Sequence, residues 1–549
     1  MSLATVHDRF STEQIETYYA QGLWRDYTLF GVLEQQAAQR ADKVFFTDST
    51  TSYTFAELRD ESLRLATGLV RRGITAGDRV AVQMPNWTEF AVIATALSRI
   101  GAIIVPIMPI YRRDEVSYIL DSAEVRAVFT AGTYRKFDHA AMFTELAAGP
   151  GSLELVVVLR AEQRPAGTVA YPELLADVDA DTAAAEIGPG TGPDDPWVIV
   201  FSSGTTSRPK GCLHTFNTMA CGARLLGKGF GYTANDVQFG PSPITHTTGL
   251  VTSVILPLIH GGASHVQEAW EPKEGLARIA KFGCTISVTA STFLQMLLDA
   301  YDPDAHDASS MRVWTCAGAP IPASLVESAR VAIPAMQVLS LYGRTENITT
   351  TMCTIVDDPA RSLTSDGRAL PGQEVRILDL DGQEVPHGTE GDISYRGAMS
   401  MIEYINQPEE TAAMFTADGF SRSGDLGVMD ADGYVRVTGR LKDIVIRGGL
   451  NISVRQVEDL LVAHEAVAAV AVVGMPDRKL GERVCCYLVP AEGAEPMGID
   501  AMREYLLGQG LAIQKVPERV EIVEALPMTA TGKIQKHVLR ADIAAKLED

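Results

Sequence analysis

The chain has little positive charge for its size, and it lacks two familiar phosphate-binding patterns. Its formal net charge is −22 at pH 7, which argues against nucleic acid or an anionic membrane as the main partner. Neither a Walker loop, G-x-x-x-x-G-K-[ST], nor a G-x-G-x-x-G dinucleotide fingerprint occurs. These absences exclude two kinds of phosphate-binding loop, so any phosphate site must use another.

Cysteines are few, and none is placed at C-x-x-C spacing. The seven are Cys212, Cys221, Cys284, Cys316, Cys353, Cys485 and Cys486. An odd number without metal-ligand spacing argues against a disulfide framework and against a zinc site. We therefore expect a reduced, cytoplasmic setting, with most thiols acting as small buried hydrophobes. The N-terminus shows no signal-peptide pattern.

Long hydrophobic runs are also missing. The most apolar window, residues 90–108, is interrupted by Ser98 and Arg99, which predicts a helix running into a buried strand rather than a membrane span. Strand-like and helix-like segments alternate along the chain, as in strand 79–83, helix 88–99, strand 102–106 and strand 127–130. This alternation is typical of an α/β fold.

The chain's 549 residues are too many for one hydrophobic core, so two or more domains are expected. The best boundary follows the Gly- and Asp-rich segment 418–440. Beyond it the pattern predicts a helix at 456–463 and strands at 468–473 and 484–489. We predict an α/β N-terminal domain of several subdomains over residues 1–440 and a small α+β domain over 441–549.

The most informative segment follows a strand-like run at 197–201, which a Gly/Pro/Asp loop at 188–196 precedes. It reads Ser202-Ser203-Gly204-Thr205-Thr206-Ser207-Arg208-Pro209-Lys210-Gly211. Small and hydroxyl residues offer backbone N–H groups and hydroxyls to a polyphosphate, and Lys210 adds a positive charge. Taken alone, the segment could instead be a polar surface turn.

This run resembles the phosphate-binding loop of the adenylate-forming superfamily, which contains acyl-CoA synthetases, peptide-synthetase adenylation domains and luciferases. Ser207 stands where the family usually has Gly. Further motifs follow in the family's order, so the resemblance spans residues 25–540. It implies a large N-terminal domain and a small mobile C-terminal domain, with ATP, Mg²⁺ and CoA as cofactors.

The run Leu341-Tyr342-Gly343-Arg344-Thr345-Glu346 resembles the family's Y-G-x-T-E motif. The resemblance implies that Tyr342 stacks on adenine, Thr345 contacts the α-phosphate and Glu346 supports the metal. The alternative is a strand-end turn with a solvated glutamate, which the other motifs disfavour. Arg344 fills the variable position, either as a surface charge or as part of the pocket wall.

Ser423-Gly424-Asp425 and Gly439-Arg440 resemble the next pair of family motifs, which implies that Asp425 binds the ribose hydroxyls and Arg440 the sugar and phosphate. Taken together, the resemblance assigns two sets of residues. The nucleotide-binding residues are Ser202, Ser203, Gly204, Thr205, Thr206, Lys210, Gly318, Ala319, Pro320, Ser340, Tyr342, Gly343, Thr345, Asp425 and Arg440. The catalytic residues are Lys533, Thr206 and Glu346, with Glu346 also the metal ligand.

The segment 241–249 resembles the family region that lines the acyl pocket, which implies a pocket formed by His246, Thr247 and Gly318. A lone histidine is more often structural, so His246 could equally hold the fold. Domains that activate α-amino acids carry a Phe-Asp pair in this region, and this chain has no Asp there. An amino-acid substrate is therefore disfavoured.

The C-terminal motifs imply two surfaces that act in turn. Lys533, in a segment resembling P-x-T-x-x-G-K, would bridge the substrate carboxylate and the α-phosphate. Gly448 and Gly449 would line the pantetheine tunnel, although Val454 and Gln456 depart from the family's Pro and Glu nearby. Lys442 would be the hinge on which the small domain swings between the two half-reactions.

The expected activity is ATP-dependent conversion of an organic acid, hydrophobic or cyclic, to an acyl-adenylate and then to an acyl-CoA. An enzyme that loads a separate carrier protein's phosphopantetheine is the nearest alternative. A luciferase-like oxygenase would keep only the first half-reaction. An inactive nucleotide- or acyl-binding protein is the remaining alternative. The sequence leaves the acid and the oligomeric state open.

Overall fold

The computed structural model describes residues 3–176, 178, 187–188, 190–202, 208–318, 321–379, 381–528 and 534–548. Within these residues the chain forms two large mixed sheets, an antiparallel sheet of four strands and a C-terminal sheet of five. A two-stranded ribbon, Thr133–Tyr134 with Phe137–Asp138, stands apart. This arrangement confirms the predicted fold class, a large α/β N-terminal domain with a small α+β C-terminal domain.

The largest sheet in the described part of the chain has nine strands. Across the sheet their order is Arg368–Ala369, Thr351–Met352, Gln337–Tyr342, Val313–Ala317, Ile286–Thr289, Val237–Gly240, Ala263–Val266, Val44–Thr47 and Ser52–Thr54. The strands between Gln337–Tyr342 and Val44–Thr47 run parallel, and the outer strands are antiparallel. Both faces bury apolar side chains in separate core clusters, as expected for a parallel sheet covered on both sides.

The second large sheet has eight strands among the described residues. Their order is Glu403–Tyr404, Gly211–Thr215, Pro196–Phe201, Ile103–Pro106, Arg79–Gln83, Val125–Ala131, Leu155–Leu159 and Val169–Ala170. Pro196–Phe201 and Gly211–Thr215 pair antiparallel, so the segment 202–210 connects two neighbouring strands. This sheet shares the largest core cluster with one face of the nine-stranded sheet.

The last two sheets follow each other along the chain. The four-stranded sheet is Gln373–Leu378, Glu390–Gly397, Ser421–Met429 and Val435–Arg440, all antiparallel. A single 3-10 turn, Leu441–Asp443, leads into the C-terminal sheet. Its strands are Leu450–Ile452, Val445–Arg447, Gly481–Pro490, Val467–Asp477 and, paired beside Gly481–Pro490, Arg519–Ile522.

Helices cover the sheets. The described ones are Val6–Arg9, Thr12–Ala20, Leu29–Arg40, Phe55–Arg71, Glu89–Ile100, Arg113–Ser122, His139–Ala147, Tyr171–Leu175, Phe216–Phe230, Thr247–Gly249, Leu256–His260, Pro272–Phe282, Ser291–Ala300, Ala323–Ala332, Arg361–Thr364, Pro408–Ala413, Val454–Val462, Ile499–Gly508 and Lys536–Glu548. Leu250–Ile255 is a π-helix, and Ile513–Lys515 is a 3-10 turn.

Several predictions from sequence are confirmed at the level of single elements. The window 90–108 is helix Glu89–Ile100 followed by the buried strand Ile103–Pro106. All seven cysteines are buried free thiols. Among the described residues, no helix is both long and apolar enough to cross a membrane.

Candidate active site

Three motif segments follow parallel strands of the nine-stranded sheet and therefore meet at one edge. Strand Val313–Ala317 ends before Gly318, strand Gln337–Tyr342 ends before Gly343, and strand Val237–Gly240 leads into segment 241–249. In α/β folds, ligands bind outside the carboxyl ends of the strands. This edge is the candidate active site.

The turn after Gln337–Tyr342 is tight, and Gly343 makes it possible. A Cβ on Gly343 would lie 2.0 Å from the carbonyl oxygen of Ile348, so no larger residue fits. The backbone N–H of Thr350 donates to the carbonyl of Tyr342 at 2.9 Å. The protein's own fold thus requires glycine here, whether or not a nucleotide also passes close to it.

Glu346 is buried in this turn as part of a hydrogen-bonded pair. Its Oε1 accepts from the Tyr404 hydroxyl at 2.7 Å and from Arg344 Nη2 at 3.1 Å. Burial alone would raise the pKa of Glu346, but the Arg344 charge and the Tyr404 hydrogen bond outweigh it and lower the pKa. Glu346 is therefore an ionised, oriented carboxylate, and a solvated turn glutamate is excluded.

Arg344 connects two motifs. One guanidinium nitrogen pairs with Glu346 and the other donates to the Ser423 carbonyl. Burial would lower the pKa of Arg344, but the charge of Glu346 reverses the effect and raises it. The variable position of the motif thus belongs to the wall of the site, and the surface-charge alternative is wrong.

Asp425 contacts two other residues that the sequence predicts to bind the nucleotide. The Tyr342 hydroxyl donates to Asp425 Oδ2 at 2.7 Å, and Arg440 Nε lies 3.0 Å from Oδ1. Asp425 and Arg440 are direct partners across adjacent antiparallel strands. Burial, reinforced by the Asp425 charge, raises the pKa of the Tyr342 hydroxyl, so this phenol stays a donor. Residues 83 positions apart in sequence meet here.

Ser340 lies behind the site. Its hydroxyl donates to Asp366 Oδ1 at 3.1 Å, and Asp366 Oδ2 accepts from the backbone N–H of Val437 at 2.8 Å. The Ser340 side chain therefore ties the nine-stranded sheet to the four-stranded sheet.

The ends of the predicted phosphate loop are held together. The backbone N–H of Ser202 donates to the Lys210 carbonyl at 2.8 Å. Lys210 Nζ lies 4.9 Å from the centre of the Tyr404 ring, whose hydroxyl bonds Glu346. Lys210 therefore approaches the buried carboxylate from the second sheet. Between these ends, Ser203, Gly204, Thr205 and Thr206 lie outside the described residues.

His214 connects the two large sheets beneath the site. It is fully buried in strand Gly211–Thr215, and its Nε2 lies 2.8 Å from the Thr345 carbonyl. A carbonyl oxygen only accepts, so Nε2 carries the proton. Burial lowers the pKa of His214 to about 4, so the ring is neutral at neutral pH. This hydrogen bond thus holds the backbone carbonyl of Thr345, the residue next to Glu346.

The three predicted acyl-pocket residues lie on two neighbouring elements. His246 precedes helix Thr247–Gly249, and its Nδ1 accepts from the Thr248 N–H at 3.3 Å. Thr247 is buried, and its hydroxyl has no hydrogen-bond partner among the described residues. Gly318 has φ +77°, a conformation that favours glycine. Ala319 and Pro320 lie outside the described residues.

Of the predicted C-terminal site residues, two lie in a hairpin and one lies in the 3-10 turn before it. Gly448 and Gly449, with φ +59° and +85°, form the turn of a hairpin between Val445–Arg447 and Leu450–Ile452. Positive φ at both positions favours glycine, so the hairpin itself accounts for this pair. Lys442 lies in the 3-10 turn, and its carbonyl accepts from Arg540.

Burial and the charge of Arg440 lower the pKa of Lys442. Its side chain is thus close to the nucleotide-binding motifs. Lys533 lies outside the described residues.

Three residues of the site were missed by sequence reasoning, namely Tyr404, His214 and Asp366. His214 had a signal, because a polar ring stands inside an otherwise apolar strand. Tyr404 and Asp366 had none, because each contacts the site from a distant segment.

Comparison with known proteins agrees with this geometry. The AMP-binding enzyme family matches residues 33–405, and the AMP-binding enzyme C-terminal domain matches residues 456–533. Medium-chain fatty-acid–CoA ligase of Escherichia coli (strain K12) is 32% identical over 539 residues, covering 98% of this chain and 94% of that protein. 2,3-Dihydroxybenzoate-AMP ligase of Bacillus subtilis (strain 168) is 30% identical over 538 residues, covering 97% of each.

The crystal structure of ATP-bound MatB from Rhodopseudomonas palustris superposes with a TM-score of 0.83 at 30% identity, covering 93% of this chain and 98% of that one. The chain therefore belongs to the AMP-binding enzyme family, the adenylate-forming superfamily. It is an adenylate-forming ligase.

Proposed function

We propose that the protein activates an organic carboxylic acid with ATP and then transfers the acyl group to CoA. The observation that carries this proposal is the double contact of Arg344. It holds the Glu346 carboxylate and the Ser423 carbonyl together, next to Asp425 and Tyr342. The carboxylates that we propose to support the metal and to bind the ribose are thus held near each other, as the binding of a nucleoside triphosphate would require.

ATP would be held mainly by the motif residues. Asp425 offers a carboxylate to the ribose hydroxyls, and its contacts to Tyr342 and Arg440 fix its orientation. The Tyr342 ring presents a face for adenine. Lys210 and the segment 203–206 would bind the phosphates through ammonium, hydroxyl and backbone N–H groups. The similar structure of MatB with ATP bound supports ATP as the nucleotide.

Glu346 fits a magnesium ligand, because it is ionised, buried and oriented, and hard cations prefer oxygen. The described residues contain no cluster of three or more His, Cys, Asp or Glu that could hold a metal. The metal would therefore take its other ligands from phosphate and water. When bound, Mg²⁺ would neutralise charge on the phosphates.

In the first step, a substrate carboxylate oxygen bonds to the α-phosphorus as the bond to the bridging β-phosphate oxygen breaks, giving an acyl-adenylate and pyrophosphate. Lys533 would lie between the two anions and offset their repulsion, with Thr206 and Thr345 near the phosphates. In the second step, a thiol sulfur bonds to the acyl carbon as the bond from that carbon to the phosphate oxygen breaks, so AMP leaves and the thiol proton is released.

For the acid, we propose a hydrophobic or cyclic compound bound near His246, Thr247 and Gly318. The relatives support this range, since one is named for a fatty acid and another for an aromatic acid. The absence of an Asp in segment 241–249 continues to argue against an amino acid.

For the acceptor, CoA is the first proposal, with the Gly448–Gly449 hairpin guiding the thiol arm. A separate carrier protein is the second, since relatives at similar identity carry either a CoA ligase or an AMP ligase name. We place the domain boundary between residues 440 and 441, with Lys442 as the hinge. The four-stranded sheet ends at Arg440 and the C-terminal sheet begins at Val445.

The test is pyrophosphate release from MgATP over a panel of carboxylic acids, followed by trapping with CoA or with a phosphopantetheinylated carrier protein. Acid-dependent pyrophosphate and a CoA thioester are the expected results. Thioester on the carrier protein alone would favour the second acceptor. Nucleotide binding without pyrophosphate release from any acid would leave an inactive binding protein and refute the proposal.

A further inference from the structure

Four polar side chains are buried without satisfied hydrogen bonds inside the N-terminal domain. Gln238, Ser253, Ser264 and Thr315 are 0%, 0%, 1% and 0% exposed. The Oε1 atom of Gln238 and the three hydroxyls have no hydrogen-bond partner among the described residues. Leaving a buried polar atom unpaired is costly, and the exceptions in native proteins call for an explanation.

The strand register puts three of these side chains on one face of the nine-stranded sheet. Gln238 pairs directly with Ser264 on one neighbouring strand and with Ile286 on the other. Two residues further along that second strand, Val288 pairs with Thr315. Side chains of paired residues, and of residues two apart, point to the same face. That face packs against the segment Leu250–His260 and its neighbours in the largest core cluster.

Ser253 reaches the same face from the opposite side. It belongs to the π-helix Leu250–Ile255, in which the N–H of Leu256 donates to the carbonyl of Val251. A Cβ on Gly240 would lie 2.5 Å from Ser253 Oγ, so the hydroxyl packs against the strand that carries Gln238. π-Helices are rare and are frequent at functional sites, which is a second indication of function at this place.

The strand that carries Thr315 and the helical segment that carries Ser253 both adjoin predicted acyl-pocket residues in the sequence. Thr315 precedes Gly318 by three residues of strand, a distance of about 10 Å. Ser253 follows Thr247 by six residues of helix, a distance of about 9 Å. Thr315 and Ser253 therefore lie at similar distances along their elements from the predicted acyl-pocket residues, and Gln238 and Ser264 share the sheet face with Thr315.

We propose that this polar floor, formed by Gln238, Ser253, Ser264 and Thr315, selects acids that carry a neutral oxygen, a hydroxyl or a ketone, remote from the carboxylate. The three hydroxyls can donate to such an oxygen, and Gln238 Oε1 can accept from a hydroxyl. None of the four side chains is charged, so a second carboxylate would be buried without a counter-charge. This inference rests on the proposed function and narrows its substrate class.

The test compares acids matched in length. We would measure kcat/KM for pyrophosphate release with octanoic, 8-hydroxyoctanoic, 7-oxooctanoic and octanedioic acids. A ring pair, 3-cyclohexylpropanoic and 3-(4-oxocyclohexyl)propanoic acid, covers cyclic substrates. At least one monocarboxylic acid with a remote oxygen should exceed its hydrocarbon partner about tenfold or more, since a site built for hydrogen bonds rejects an analogue that lacks them. Octanedioic acid should be the poorest of the linear set.

Variants test whether the preference for oxygenated acids depends on the polar floor. Thr315→Val and Ser253→Ala should each reduce the preference for the oxygenated acid severalfold, while the melting temperature stays the same or rises, because an unpaired hydroxyl is lost. Thr252→Val is the matched control. Thr252 lies on the same π-helix, but its hydroxyl donates to the Thr248 carbonyl at 2.8 Å. That variant should lower the melting temperature and keep the preference.

Thermal shifts with the same acids in the absence of ATP give a readout that does not need catalysis. A larger shift with the oxygenated acids would support the floor even if no acid released pyrophosphate, in which case only the proposed function fails. Equal kcat/KM and equal shifts for each pair would overturn the inference. So would Thr315→Val and Ser253→Ala variants that melt lower and keep the preference, because the hydroxyls would then be bonded to buried water.

Discussion

Arg344 and Glu346 form an ion pair, with 3.1 Å between Nη2 and Oε1, inside the turn that follows strand Gln337–Tyr342. The pair is two residues apart in sequence, yet Arg344 also reaches the carbonyl of Ser423, 79 positions away. The turn that carries the proposed metal ligand and the turn that carries Asp425 are therefore held by one guanidinium. Planar, two-sided hydrogen bonding of this kind is specific to arginine.

Replacing Arg344 by Met should leave the Glu346 carboxylate buried with one partner, Tyr404. Breaking a buried pair from one side costs about 3 kcal/mol of unfolding free energy, and urea unfolding at pH 7 would measure it. The Arg344 charge helps keep the pKa of Glu346 below its ordinary 4.5. The stabilisation is therefore present above that pH and lost as the pH falls through the folded-state value.

The difference between wild type and Arg344→Met should accordingly shrink below about pH 4.5. Arg344→Lys is the matched control, since it keeps the charge but cannot make both contacts, and it should fall between the two. A variant as stable as the wild type at pH 7 would show that the pair contributes nothing.

Sequence reasoning succeeded where structure is local. The helix-to-strand reading of residues 90–108 needed only hydrophobic periodicity. The Y-G-x-T-E resemblance brought Tyr342 and Glu346 to attention because the motif is continuous. Each of these features is decided by neighbours within a few residues along the chain.

Sequence reasoning failed to predict contacts between segments that are distant in the sequence. Tyr404 bonds Glu346 across 58 positions, and His214 bonds the Thr345 carbonyl across 131. Such contacts depend on strand order and register, which periodicity does not encode. The role of Arg344 was undecided for the same reason, since a variable motif position says nothing about what lies opposite it.

His214 should make stability depend on pH. Burial lowers its pKa from 6.5 to about 4, so the folded ring stays neutral while the unfolded one takes up a proton. Stability should thus fall as the pH drops from 6.5 towards 4, by about 3 kcal/mol in total from this group. Urea midpoints between pH 7 and 4.5 would show a shallower slope in His214→Gln.

Three further histidines also have pKa values lowered by burial, namely His139 to about 4, His265 to about 3, and His260. They act in the same direction and remain in the variant, so the slope should decrease without vanishing. An unchanged slope in His214→Gln would contradict the account.

Gly343→Ala should damage the turn directly. The new Cβ would meet the Ile348 carbonyl oxygen at 2.0 Å, and overpacking of this kind costs about 1–3 kcal/mol. Because the turn positions Thr345 and Glu346, the KM for ATP should also rise. Gly508→Ala is the control, since a Cβ there meets no atom within 4 Å. Equal melting temperatures for the two variants would refute the argument.

Lys442→Pro should separate the two half-reactions. Proline fixes φ near −65°, which a 3-10 turn such as Leu441–Asp443 can accept without losing its static form. Rotation about the hinge is then restricted, so thioester formation should suffer more than acid-dependent pyrophosphate release. Lys442→Ala removes the side chain but leaves the backbone free, and it should affect the second step less. A second half-reaction of wild-type rate in Lys442→Pro would remove the hinge from the proposal.

Lys533→Ala should impair the first half-reaction, whereas Lys442→Pro should impair mainly the second. If Lys533 neutralises the approach of the carboxylate to the α-phosphate, its loss should reduce adenylate formation by several orders of magnitude, since removing a charge stabiliser in a closed site costs about 10²–10³-fold or more. Thioester formation from a supplied acyl-adenylate should stay close to wild type, because the phosphorus chemistry is already complete.

Lys536→Ala controls for general damage to the C-terminal domain. Lys536 pairs with the half-buried Glu458 at 2.7 Å, so its loss should lower the melting temperature without separating the two steps. Equal losses in both half-reactions of Lys533→Ala, at an unchanged melting temperature, would show that this lysine does not belong to the first step alone.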